Sequence, residues 1–333
     1  MIDRRQYLTA MLALLAVPPF VRAALAQDRL SFDNWLSALR AEAAQRGFSQ
    51  RTIEAALGHV TMLPRVIELD RQQPEVVLTF DTYINRVVND ARAQAARQRL
   101  HENRELLDRV SRRFHVQPRF IVALWAIETD FGRVTGSFSV IDALATLAYE
   151  GRRAAFFREE LFKALQMVEK SGISPRDMRG SWAGAMGQSQ FMPSTYMAHA
   201  VDFDGDGRAD IWKSRADVLA SIANYLSDLG WRADETWGRE VRLPRNFDPA
   251  LVDDRRLQKA PRSVPQWQAL GVRRADGGDL PPRAITGWLV QPGGAEEGPT
   301  FLVYENYRAL LQWNRSLFFA TAVGYLADRI AQG

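Results

Sequence analysis

The apolar and polar positions follow a helical rhythm as far as about Leu229, and the texture changes after Trp231. Ser31 offers a cap to a helix carrying Trp35, Leu36 and Leu39 at helical spacing. Ser49 caps a short helix that stops at Gly58. Pro74 opens a long charged helical stretch to about Phe114, along which Val77, Phe80, Ile84 and Val87 form one apolar face. Pro118 opens a strongly apolar helix that runs through Trp125 and Glu128 to Gly132. Further helices fit 153–170 and 214–229. Beyond Trp231, the segments 237–243, 284–290 and 300–304 read as short strands between Pro- and Gly-rich turns. Helical pattern returns from Tyr307 to Ile330. The expectation is a mainly α protein of α+β type. It has an N-terminal helical region (27–114), a motif-bearing core (115–231), a strand-rich insertion (232–306) and a C-terminal helix (307–333) returning to the core.

Composition narrows the classes without choosing one. With 333 residues the chain is long enough for a large core, and 47% hydrophobic and 25% charged residues are those of an ordinary soluble protein. The net charge of +4 falls to about +2 without the first 26 residues, which hold three Arg and one Asp. So mild a charge names no partner and would not oppose an acidic polymer, while no basic stripe suggests nucleic acid. Cysteine is absent, which excludes disulfides, thiol nucleophiles, thiolate zinc sites and a lipid-modified N-terminal Cys. The chain opens like an address. Arg4 and Arg5 precede an apolar run from Tyr7 to Val17, and Ala24-Leu25-Ala26 offers a cleavage site. Residues 1–26 are therefore expected to be a cleavable signal peptide. The string Arg4-Arg5-Gln6-Tyr7-Leu8 resembles a twin-arginine signal, which exports folded proteins. No later segment is apolar enough to span a bilayer, so a periplasmic monomer without a membrane anchor is expected.

Three segments carry candidate chemistry. In Phe120 to Gly132, Glu128 is a lone carboxylate near the end of an apolar helix, with Trp125 and Phe131 three residues away on either side. An apolar wall disfavours ionisation, and a carboxyl that keeps its proton near neutral pH can protonate a glycosidic oxygen. The competing reading is a solvent-facing Glu on an amphipathic helix. In Gly180 to Ser194, small residues allow close backbone approach, while Ser181, Gln188, Ser189 and Gln190 suit sugar hydroxyl and acetamido groups. A tight turn before a helix capped at Ser194 is the plainer alternative. The third segment, Asp202-Phe203-Asp204-Gly205-Asp206-Gly207-Arg208-Ala209-Asp210, matches the start of a calcium loop. Asp202, Asp204 and Asp206 would be ligands, and Arg208 would offer its backbone carbonyl. Lys213 stands where such a loop places a bidentate Glu, and Asp217 is the candidate replacement within 202–217. The plainer alternative is an acidic turn without metal. No His-Glu-x-x-His, Gly-x-Ser-x-Gly or phosphate-cradling loop is present, and the four His residues read as structural.

In this order the three segments resemble the lytic murein transglycosylase B family, over roughly residues 30–330. The likeness rests on Ile127-Glu128-Thr129-Asp130-Phe131-Gly132, on Gly184-Ala185-Met186-Gly187-Gln188-Ser189-Gln190-Phe191-Met192-Pro193-Ser194 and on the Asp202 loop. It implies a lysozyme-like helical core with an EF-hand-like calcium loop. The implied reaction cleaves peptidoglycan strands between N-acetylmuramic acid and N-acetylglucosamine, with the muramyl C6 hydroxyl in place of water, and it leaves a 1,6-anhydro end. Glu128 aligns with the family's acid/base, and Ser181 and Gln190 with glycan-contacting positions. Arg152 and Arg153 match paired arginines near the peptide stem. Asn314 matches an active-site Asn, and Tyr83 and Tyr225 match cleft aromatics. Gln188 and Ser189 stand where the family often has an aromatic and a Gly, and Trp313 replaces a Tyr. The implied partners are glycan strands and other cell-wall enzymes. No cofactor is implied for catalysis, and calcium is implied as a structural ion. Two rivals stay open: a muramidase of lysozyme type, and a non-catalytic calcium-dependent peptidoglycan-binding protein.

Overall fold

A computed structural model describes residues 31–71, 78–150, 152–253, 257–259, 261–294 and 298–332. Residues 1–26, read from the sequence as a signal peptide, and Pro74 and Val77 lie outside the described residues. Ser31 and Ser49 cap as their type dictates, accepting from the N–H of Asn34 and of Thr52, and open the helices Phe32–Gln45 and Gln50–Leu57. Pro64–Arg71 follows. The long charged stretch read up to Phe114 holds three helices among the described residues: Phe80–Val87, Asp90–Glu102 and Arg104–Phe114. Asn89 breaks it, because its side chain accepts from the N–H of Arg92 and restarts the helix at Asp90. The single C-terminal helix expected over 307–333 is likewise two, Glu305–Trp313 and Leu317–Ala331. Ser316 caps the second, accepting from Phe319 N–H.

Two helical cores meet in the molecule. The first is built on Pro118–Thr129, whose residues from Phe120 to Ala126 are all buried. The helices Leu317–Ala331, Asp90–Glu102 and Arg215–Asp228 surround it. A helix apolar on every side has to sit in such a place, and truncating a fully buried Leu124 to Ala would cost about 2–5 kcal/mol. The second core joins Phe32–Gln45, Gln50–Leu57 and Pro64–Arg71 to Val140–Glu150 and Ala154–Ser171. The segment 27–114 thus serves both cores, with its first three helices on one and its last three on the other.

The strands assemble into a mostly antiparallel sheet. Among the described residues its order is Val252–Asp253, Thr286–Val290, Thr300–Val303, Gly238–Arg242, Arg273–Arg274, and Arg262–Ser263 pairs with Thr286–Val290. One face packs on a small core of its own around Trp267, Leu289 and Leu302. The alternate residues Trp288, Val290, Phe301 and Val303 face the first helical core, so the strand period of two joins the sheet to the helices.

Candidate active site

Glu128 sits one residue before the C-terminal end of Pro118–Thr129, which stops abruptly. The helix was expected to reach Gly132. Instead Asp130, Phe131 and Gly132 all take positive φ, at 51°, 61° and 84°. Two consecutive non-Gly residues in the left-handed region are costly and persist only where surrounding contacts enforce them. Here the Thr129 hydroxyl donates to the Gln188 carbonyl at 2.8 Å and accepts from Gly132 N–H at 3.1 Å. Phe131 therefore leaves the helical face it was expected to share with Glu128 and packs edge-on against Trp125.

A different aromatic meets the carboxyl. Trp313, at the end of Glu305–Trp313, donates from Nε1 to Glu128 Oε1 at 2.7 Å. Its ring packs on Tyr225 and Phe191, with centroids 4.9 and 5.6 Å away, and it touches both helical cores. Glu128 lies at that seam, half-buried. Burial pushes its carboxyl up to about 7, opposed in part by the Trp313 hydrogen bond. Among the described residues no second carboxylate contributes to that shift, and Asp130 is paired with Arg133.

The other candidate residues separate. Tyr83 is near: burial first and the Glu128 charge second hold its hydroxyl above the ordinary range. Tyr225 is joined to Glu128 through Trp313, and its other face stacks on His199, which is fixed by Asp228 at 2.7 Å. Ser181 binds its own loop, and Gln190 ties that loop to the segment after the Glu128 helix. Ser181 Oγ accepts from Ala185 N–H, and Gln190 Nε2 donates to the carbonyls of Thr135 and Gly187. Asn314 is exposed and accepts from Ser316 N–H, while its neighbour Trp313 makes the contact to Glu128. Arg152 is exposed and donates to the Asp70 carbonyl, and Arg153 lies over Phe157. Neither arginine has a contact that joins it to Glu128.

The acidic loop gathers Asp202, Asp204 and Asp217, each with a carboxylate oxygen within 4.8 Å of the others. Asp217 is fully buried and accepts only backbone N–H groups, from Phe203, Asp204 and Asp210. Burial raises its pKa, and among the described residues no ion pair joins a Lys or Arg to any of the three. A hard-oxygen cluster with one fully buried carboxylate and no cationic side chain paired to it fits a divalent cation of the calcium type. Asp206 stands outside this group and accepts from Arg208 N–H at 2.9 Å.

Residues 31–328 match the family profile described as the transglycosylase SLT domain. The chain belongs to this family. Membrane-bound lytic murein transglycosylase B of Escherichia coli (strain K12) is 29% identical over 314 residues, covering 86% of this chain and 80% of that one. Among solved structures of relatives, SltB3 of Pseudomonas aeruginosa in complex with NAG-anhNAM-pentapeptide superposes with a TM-score of 0.86 at 41% identity. That alignment covers 91% of this chain and 80% of that one. The Escherichia coli lytic transglycosylase Slt35 in complex with calcium gives 0.74 at 27% identity, over 89% and 92%. In this transglycosylase the mostly helical fold is that of its relatives. Sequence reasoning noted Trp313 only as a departure from the family pattern and missed it as the partner of Glu128.

Proposed function

We propose that Glu128 is the single acid and base of a lytic transglycosylase that cleaves peptidoglycan between N-acetylmuramic acid and N-acetylglucosamine. The observation that carries this reading is one half-buried carboxyl, raised to about 7, with no carboxylate partner among the described residues. Protonated, it donates to the glycosidic oxygen as the bond to C1 breaks. The substrate's 2-acetamido oxygen stabilises C1, and the muramyl C6 hydroxyl then attacks it. The proton of that hydroxyl returns to Glu128, so the acid is regenerated and a 1,6-anhydro end is formed without water or cofactor. The Trp313 N–H steadies the carboxylate in the interval. A water-using glycosidase of the usual kind needs two carboxylates across the bond, and Asp130 is committed to Arg133.

Tyr83 and Tyr225 fit the walls of the cleft beside this carboxyl, and Ser181, Gln190 and Asn314 fit its polar rim. Arg152 and Arg153 fit the peptide stem as exposed cations. Asp202, Asp204 and Asp217 would hold a structural calcium, with Asp206 and the Arg208 carbonyl completing the loop. Its chemistry would be that of a brace, since nothing in the Glu128 scheme calls on a Lewis acid. Periplasmic export rests on residues 1–26. Among the described residues no helix is long and apolar enough to cross a membrane. Mass spectrometry of digested sacculi tests the central reading. Wild type is expected to release anhydromuropeptides and Glu128→Gln none. Reducing ends in their place would favour the muramidase, and release by Glu128→Gln would refute the role of Glu128.

A further inference from the structure

Gln188 has the densest set of ties in the neighbourhood of Glu128. Its side-chain oxygen accepts from Trp125 Nε1 at 2.8 Å, and its side-chain nitrogen donates to the Trp212 carbonyl at 2.8 Å. Its backbone N–H donates to the Ile211 carbonyl at 2.9 Å, and its backbone carbonyl accepts from the Thr129 hydroxyl at 2.8 Å. Trp125 and Thr129 belong to the Glu128 helix, three residues before the carboxylate and one after it. Ile211 and Trp212 follow the acidic loop, where Asp210 accepts from Trp212 N–H and itself donates to the buried Asp217. Gly132 completes the fit, because a Cβ there would lie 2.4 Å from the Gln188 side-chain oxygen. Gln188 thus grips the helix on both sides of Glu128, with its side chain before the carboxylate and its backbone carbonyl after it, and fastens it to the segment that leaves the acidic loop.

We infer that Gln188 is a positioning residue for catalysis, which sets the rotation of the helix end so that Glu128 meets Trp313 Nε1. The inference rests on the acid/base role of Glu128. An amide suits both contacts, because its oxygen accepts from an indole while its separate nitrogen donates to a carbonyl; an apolar side chain does neither, and a carboxylate can only accept. Letting go at Trp125 and at Trp212 removes one of the two hydrogen bonds that tie the last turn to Gln188 and leaves only the one from the Thr129 hydroxyl. A displacement of the order of 1 Å at a reacting group can cost about a hundredfold in rate.

The test is steady-state kinetics on purified peptidoglycan strands with Gln188→Leu, Gln188→Glu and Trp125→Phe, with Glu128→Gln as control. The expected result for Gln188→Leu is a kcat lower by about 10- to 100-fold with KM within about twofold. The basic limb of its pH profile should also move to higher pH, because the Trp313 hydrogen bond to the carboxylate is loosened. Gln188→Glu keeps the acceptor for Trp125 and should recover part of kcat. It also serves if the Leu variant does not fold. The double variant Gln188→Leu/Trp125→Phe should be no worse than the poorer single, since both break the same tie. A kcat within twofold of wild type, an unmoved pH limb or additive losses would overturn the inference. Activity in the Glu128→Gln control would overturn the underlying acid/base role instead.

Discussion

Replacing Trp313 with Phe separates the indole N–H from the indole's bulk. The ring is packed on Tyr225 and Phe191, and a phenyl group largely keeps those contacts. What disappears is the 2.7 Å hydrogen bond to Glu128 Oε1. A hydrogen bond to an ionised group contributes about 1.5–3 kcal/mol, and one to a neutral group about 0.5–1.5 kcal/mol. The preference of Trp313 for carboxylate over carboxylic acid is therefore about 1–1.5 kcal/mol, or about one pKa unit. The donor pulls the carboxyl down from where burial would place it, so its removal must raise the value above the present one of about 7. Since the protonated form starts the reaction, the rate declines as pH rises through this value. The measurement is kcat/KM for release of anhydromuropeptides between pH 5 and 9. The basic limb of Trp313→Phe should lie about one unit above that of wild type. A limb that stays in place, or moves toward acid, would refute both the hydrogen bond as a control on Glu128 and Glu128 as the acid.

Other predictions follow from the same geometry. The Glu128 carboxyl keeps its proton in the folded state up to about 7, against an ordinary value of 4.5. Folding stability therefore falls as pH rises through that window, where the unfolded chain has already lost the proton. Glu128→Gln should then be more thermostable than wild type at pH 8 and much less so at pH 5. The ceiling is about 3 kcal/mol, discounted to about 1–2 kcal/mol for a group that is partly exposed, and equal melting temperatures at pH 8 would contradict it. Calcium should raise the melting temperature of wild type but not of Asp217→Ala, and a chelator should reverse the gain. No calcium effect on wild type would exclude the metal site. Gly132→Ala should cost about 1–3 kcal/mol, because φ is +84° and the new Cβ collides with Gln188. Chemical denaturation measures it, and a neutral result would mean that the helix end can relax.

The parts of the fold legible in the sequence were those set by local chemistry. Ser31 and Ser49 cap helices because of what a hydroxyl can accept, and Pro118 opens its helix because its missing N–H costs nothing there. The Val140–Glu150 helix escaped notice because it is apolar on nearly all sides, which erases the amphipathic rhythm. The break at Asn89 had a local signal, an Asn before an Asp just after the apolar face ends at Val87, but the charged stretch that continues beyond it masked that signal. The stop at Thr129 had none. Asp130 and Phe131 become left-handed under ties to Gln188 that are made only in three dimensions. Glu128 was legible as a lone carboxyl on an apolar helix. Its hydrogen bond to Trp313 was not, since the two residues are 185 positions apart.

That separation governs when the enzyme becomes able to act. The Glu128 helix is complete early in the chain, yet its partner follows the whole sheet and belongs to the second helix from the C-terminal end of the described chain. Contacts between residues so far apart form late in folding, after the intervening loop has been closed. A chain still being made, truncated before Trp313, or caught with its sheet unfolded would hold Glu128 on a helix that lacks its lid. Such a chain lacks both the indole N–H that meets the carboxyl and the ring that packs beside it. The surroundings of Glu128 are therefore complete only once the chain has packed through Trp313.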